Sequence, residues 1–156
     1  MNITSHKRGM TLVEIVMVVS IMGLLATFLV PAVAQAMKDR ENARAASKLR
    51  QAVMAFGLCK SETGSYPPDR TPGVIPPEMV DYFADMGITE WWSKKTEIGG
   101  NWDWDNGYHF AYSVSIARPA RPVKQLQRFD ALVDDGNLAT GKFRAVGVQY
   151  HYIIEE

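Results

Sequence analysis

The chain has 156 residues, with 17 Lys and Arg against 17 Asp and Glu, three His and one Cys. That length suits one domain with an appendage, and the lack of a basic excess argues against a general nucleic-acid binder. The lone Cys59 excludes an internal disulfide framework and any multi-cysteine zinc site.

Residues 1–9 read as a polar leader ending in Lys7-Arg8-Gly9, and residues 15–37 then run for 23 positions without a formal charge. Most of that run is Val, Ile, Leu, Met or Ala. As a helix it is roughly 35 Å long, enough to cross about 30 Å of hydrocarbon. The leader contributes +2, whereas Lys38-Asp39-Arg40-Glu41 is balanced. The positive-inside bias therefore keeps the N-terminus cytoplasmic and places residues 38–156 on the far side.

Three residues spoil the apolar run. Glu14 puts a carboxylate at its cytoplasmic edge, which is costly beside lipid unless a partner neutralises it. Gly23 and Pro31 weaken the helix, Pro31 by removing a donor and crowding the preceding turn. Two plainer readings compete. A secretory signal would end at Ala34, after the small-x-small stretch Ala32-Val33-Ala34, but this run outlasts the usual h-region of about 7–15 residues. An ordinary single-span anchor leaves Glu14 unexplained.

The stretch Lys7-Arg8-Gly9-Met10-Thr11-Leu12-Val13-Glu14, followed directly by the apolar helix, resembles the processing site of type IV pilins and type II secretion pseudopilins. The resemblance implies that a prepilin peptidase cuts after Gly9 and methylates the new amine on Met10, where the family usually has Phe. Glu14 is the fifth mature residue, and Gly23 and Pro31 fall at the fourteenth and twenty-second. These match the family's Glu and its helix-breaking Gly and Pro. The implied architecture is a leader (residues 1–9) and an assembly helix (10–37) that spans the inner membrane. The implied partners are copies of the chain joined through their N-terminal helices, the peptidase and an assembly platform. The electrostatics can be argued separately: cleavage creates a cation at Met10, and a filament core of packed helices would bury both it and Glu14. The two charges must then pair between subunits. The resemblance also implies that the stretch between Gly23 and Pro31 unwinds on assembly, against the alternative of a static kink.

Beyond the span, residues 38–63 read as an amphipathic continuation of the helix. Ala43, Ala46, Leu49, Val53 and Phe56 recur at spacings of three and four, while Arg40, Arg44, Lys48, Gln51 and Lys60 largely avoid that stripe. Gly64 can close the helix, and Pro67-Pro68 prevent its continuation. Thr63-Gly64-Ser65-Tyr66-Pro67-Pro68 is similar to the Gly-x-Tyr-Pro stretch of the major pseudopilin of type II secretion. Residues 78–86 read as one short helix.

Strand signals follow. Gly99-Gly100 and Asn106-Gly107 bracket Asn101 to Asp105, and Asn-Gly is a two-residue hairpin signal. Tyr108, Phe110, Tyr112, Val114 and Ile116 then alternate with smaller or polar residues, predicting one half-buried strand. A helix or turn is expected over residues 126–133. Val146, Val148, Tyr150, Tyr152 and Ile154 alternate again as a terminal strand. Together these predict an α+β chain in which a long N-terminal bipartite helix packs on a small antiparallel β domain, residues 64–156.

Trp91, Trp92, Trp102 and Trp104 fall within 14 residues. They form either an aromatic binding platform or core packing, and a domain this small needs the packing. Asp103 and Asp105 sit in a stretch like the start of a calcium loop, although its glycine comes one place late and Tyr112 takes the twelfth position. Asp134 and Asp135 form a second acidic turn. The resemblance implies calcium in a C-terminal loop, and ordinary turn chemistry explains both clusters without it. His109 and His151 look isolated on strands, and no catalytic motif accompanies them, so no enzyme is expected and no cofactor other than calcium. The expected role is a structural subunit of a type II secretion pseudopilus, with a type IV pilin for adhesion, motility or DNA uptake as the alternative. From another class, the chain is a secreted binding domain whose signal peptide ends at Ala34.

Overall fold

The computed structural model describes residues 10–156. The leader and Gly9 lie outside the described residues. Helix α1 covers Leu12–Thr63, and the chain divides into two compact units, the second being Lys38–Glu156. In the first unit the side chains from Leu12 onward are almost all exposed, including Phe28 at 72% and Leu24 at 65%. A surface this apolar along a helix requires lipid or other helices around it. Pro31 lies inside α1, which continues past it.

In the second unit, α1 buries Asn42, Ala45, Ala46, Leu49, Ala52, Ala55, Phe56 and Cys59. The stripe is therefore rotated from the sequence expectation. Ala43 faces outward and Val53 is half-buried, whereas Ala45, Ala52 and Ala55 face the core. The reason is steric: alanines let large aromatic rings approach the helix closely. Phe56 stacks on Trp104 at 3.9 Å and meets Phe83 and Trp92 edge-on. α1 ends where Gly64 takes φ 81° and its amide bonds to the Lys60 carbonyl.

A connection, residues 64–76, then crosses the core. Trp104 Nε1 donates to the Pro67 carbonyl at 3.0 Å, and Trp92 Nε1 to that of Val74 at 3.2 Å. A 3₁₀ turn, Pro77–Met79, leads into α2, Val80–Asp85. One turn of helix, α3 (Thr89–Trp92), follows and was not foreseen; it delivers Trp92 to the core. Trp92, Trp102 and Trp104 are buried, and Trp91 packs against them. The tryptophans are core.

The sheet contains β1 (Asn101–Asn106), β2 (Tyr112–Ala117), β3 (Phe143–Val146) and β4 (Gln149–Glu155), in the order β1-β2-β4-β3 with all pairs antiparallel. Helix α4, Val123–Val133, lies between β2 and β3 in the chain. Two strand expectations need correction. Tyr108 and Phe110 are not on a strand, because the hairpin connection is residues 107–111 rather than a tight Asn-Gly turn. The Gly107 amide donates to the carbonyls of Phe110 and Ala111 and closes that longer loop. The terminal alternation is not one strand but two, with Val146 opposite Gln149 and Gly147-Val148 turning between them; Gly147 takes φ 60°. Alternation alone could not reveal a two-residue turn that preserves the period.

Candidate functional site

At the start of α1, Thr11 and Glu14 form a reciprocal cap. The Thr11 amide and hydroxyl both donate to Glu14 Oε2, at 2.8 and 2.9 Å, and the Glu14 amide donates to Thr11 Oγ1 at 3.3 Å. This is the Thr-x-x-Glu capping box, legible in the sequence but missed. It gives Glu14 a local task. Among the described residues Oε1 accepts no hydrogen bond, so one carboxylate oxygen remains open to another molecule. Met10 is exposed beside it, Gly23 has open space around it, and Pro31 lies one-third of the way along α1.

The second unit contains a feature the sequence concealed. One face of the sheet, with Trp102, Trp104, Val114, Ile116, Phe143, Tyr150 and Tyr152, joins the core, where Trp104 meets Phe56 of α1 and Phe143 meets Phe129 of α4. The residues between them share the opposite face. Register aligns Asp103, Ser115, His151 and Arg144 in one row across all four strands, with Asp105 beside Ser113 in the next. Asp103, Asp105, Ser113, Ser115 and His151 are all buried. Asp103 and Asp105 are thus strand residues, not members of a calcium-binding loop: the alternation that puts Trp102 and Trp104 in the core puts both acids on the other face. Burial, then the charges of Asp105 and Asp69, push the Asp103 carboxyl up to about 8, against the pull of the Trp104 amide.

The histidines are not isolated. His109 meets His151 edge-on at 5.1 Å, and Phe110 meets it at 5.4 Å, so residues 107–111 fold over the imidazole. Ser113 Oγ and Asp105 Oδ2 both approach His151 Nδ1, at 3.0 and 3.4 Å, while Nε2 has no hydrogen-bond partner among the described residues. A nucleophilic relay needs serine on one ring nitrogen and carboxylate on the other. Sharing Nδ1 orients the ring without building that relay.

Asp134 and Asp135 lie elsewhere, with Asp130 of α4, and their ligand atoms come within 4.8 Å of one another. Much of their capacity is used by the loop itself. Asp134 Oδ2 accepts the amides of Lys142 and Phe143, and Asp135 accepts the Asn137 amide and the Thr140 hydroxyl. Burial and the charges of Asp135 and Asp134 push Asp130 up to about 6. This is turn and loop chemistry first. Asp69, Ser113, Ser115, Asp130 and Gln149 were not singled out from the sequence, because only tertiary folding brings them to the acids.

No curated protein and no solved structure matches the chain. Residues 4–30 match the family model described as the prokaryotic N-terminal methylation motif, which spans Gly9, Met10, Thr11, Glu14 and Gly23 and supports a type IV pilin-like subunit.

Proposed function

We propose that the chain is a structural subunit cut after Gly9, stored in the inner membrane through residues 10–37 with its C-terminal domain periplasmic, and polymerised into a type II secretion pseudopilus. The observation that supports the processed, helix-assembled part of this reading is the methylation motif over residues 4–30 set against an apolar helix whose first turn holds a carboxylate. Cleavage leaves a cationic amine on Met10. In a bundle of such helices that amine must be neutralised, and Glu14 Oε1 of a neighbour is open to it while Oε2 keeps the cap. Methylation keeps the positive charge, so processing and pairing are compatible. Pairing of this kind fixes the axial register between subunits.

Gly23 and Pro31 give the same helix its weakest stretch, which lets neighbours slide without breaking their other contacts. The work is assembly rather than catalysis. A type IV pilin shares every one of these features, so the motif favours neither system. Deleting the gene separates them: loss of protein export supports the pseudopilus, whereas loss of surface fibres with intact export supports the pilin. Blocking maturation with Gly9→Ala tests the shared part. The variant should keep its leader and stay out of filaments, and normal processing would refute the assigned cut.

A further inference from the structure

The first residues after the apolar run, Lys38-Asp39-Arg40-Glu41, are balanced in the sequence but not in the fold. Helix α4 runs beside this part of α1 and in the same direction. Gln125 Nε2 donates to Glu41 and Asn42, and farther on Arg50 Nη2 donates to the Leu132 carbonyl. The segment before α4 and its first turns therefore lie at the level where α1 leaves the apolar run. There they answer both acids. Arg121 grips Glu41 with two hydrogen bonds, and Arg128 Nη1 comes within 3.7 Å of Asp39 Oδ1.

Four bases are left over. Lys38, Arg40 and Arg44 on α1 and Lys124 on α4 are exposed and form no salt bridge among the described residues. Arg40 and Arg44, four apart, share one side of α1. Lys38, four before Asn42, shares the side that meets α4, where Asn42 Nδ2 donates to the Gln125 carbonyl. The four thus form a collar around α1 just past residue 37. Residues 45–156, leaving out 121, 124 and 128, hold nine basic and fourteen acidic side chains, so positive charge is concentrated at this one level. Such a concentration marks an anionic partner.

Sequence adjacency says which. Lys38 directly follows the apolar run, and Arg44 is only about 10 Å farther along α1. Lys and Arg side chains on a helix lean back toward its N-terminus, which here is toward the lipid. Their heads therefore reach the headgroup layer, about 5–8 Å deep, and an acidic surface on another protein would have to enter that same narrow layer. We infer that this collar holds the stored subunit against anionic phospholipid headgroups, with Val123, 58% exposed at the start of α4, joining the layer beside Lys124. The contact depends on the proposed membrane span of residues 10–37. It brings α4, and not the anchor alone, to the lipid, and a subunit leaving the bilayer for a filament must break it.

The full chain is placed in vesicles of phosphatidylcholine alone or with about 30% phosphatidylglycerol. A fluorophore on Gln127→Cys, exposed between Lys124 and Arg128, reports proximity to nitroxide-labelled headgroups, while Cys59 is buried and stays unlabelled. Quenching should be at least about twofold stronger with phosphatidylglycerol and fall to the phosphatidylcholine level in about 0.5 M NaCl. A reference fluorophore on Asp81→Cys should not respond. It sits beside Tyr82, whose hydroxyl donates to Glu62, about 30 Å farther along α1. The combined Lys38→Gln, Arg40→Gln, Arg44→Gln, Lys124→Gln chain should lose the response and keep the tryptophan emission of a folded core. Removing four exposed bases elsewhere, with Arg70→Gln, Lys94→Gln, Lys95→Gln and Lys142→Gln, should leave the response intact. Carbonate-resistant flotation is read on the same vesicles. A parent chain that floats but quenches equally in both lipids overturns the headgroup contact and leaves the membrane span standing. So does a response that survives the collar substitutions, or one lost equally in the control. A chain that does not float refutes the span itself.

Discussion

Thr11 and Glu14 hold each other: a threonine amide and hydroxyl grip one carboxylate oxygen, and the glutamate amide returns a bond to the hydroxyl. The pair gives Glu14 two separable tasks, starting the helix and presenting a negative charge to a neighbour. Glutamine at this position can serve the cap but not the charge. Glu14→Gln, like Glu14→Ala, should therefore enter the membrane normally yet lower filament yield by at least about tenfold. Thr11→Ala, which removes the cap and leaves the charge, should keep most of the yield. Immunoblots of sheared filaments against membrane fractions measure this. Failure of Thr11→Ala beside a normal yield from Glu14→Gln would reduce Glu14 to a helix cap.

The core of the second unit depends on the contact of Phe56 with Trp104, Trp92 and Phe83. Phe56→Ala opens a cavity among rings that cannot collapse around it, at a cost of about 3–5 kcal/mol. Chemical denaturation followed by tryptophan fluorescence should show that loss. A cost under about 1 kcal/mol would mean that the rings repack.

Glu41 joins α1 to the segment before α4. Arg121 donates to both of its carboxylate oxygens, at 3.1 and 3.0 Å, and Gln125 Nε2 adds a third bond at 3.1 Å. Burial works to raise its carboxyl, but the Arg121 and Gln125 hydrogen bonds and the charges of Arg121 and Lys38 outweigh it, leaving it below the ordinary 4.5. A depressed carboxyl stabilises the fold above its unfolded value and loses that contribution as pH falls through the folded one. Both partners are about one-third exposed, so screening limits the effect to about 0.5–1 kcal/mol. Glu41→Gln should thus lower stability at pH 7 and converge with the parent in the acid range below pH 4.5, measured by denaturation across pH.

Gly141 takes φ 71°, and a β-carbon there would collide with the Asp134 carboxylate that holds the Lys142 and Phe143 amides. Gly141→Ala should destabilise the chain by more than about 1 kcal/mol, read from the denaturation midpoint. An unchanged midpoint would show that the loop reshapes freely.

The sequence was most informative where one constraint acts along the chain. The apolar run, Glu14, and Gly64 beside Pro67-Pro68 follow from lipid thickness, charge cost and helix termination, all local matters. The helix stripe was legible in period and partly in phase: Ala46, Leu49 and Phe56 are core as expected and Val53 packs against it, while Ala43 faces out and Ala45 and Ala52 join the core beside the aromatic rings. The hairpin turn at Gly147 kept the alternation intact and so stayed hidden. Asp103 and Asp105 show the deeper limit. Their spacing suited a loop as well as a strand, and only pairing with Ser113 and Ser115, then His151, makes them a buried polar face.

Chemical identification of the mature N-terminus, on protein recovered from its native membranes, bears most directly on the assembly reading. Terminal sequencing and intact mass should find a chain that begins at Met10 and carries a methylated amine. A chain beginning at Gln35, or one still beginning at Met1, would leave Glu14 without the cation it is proposed to meet.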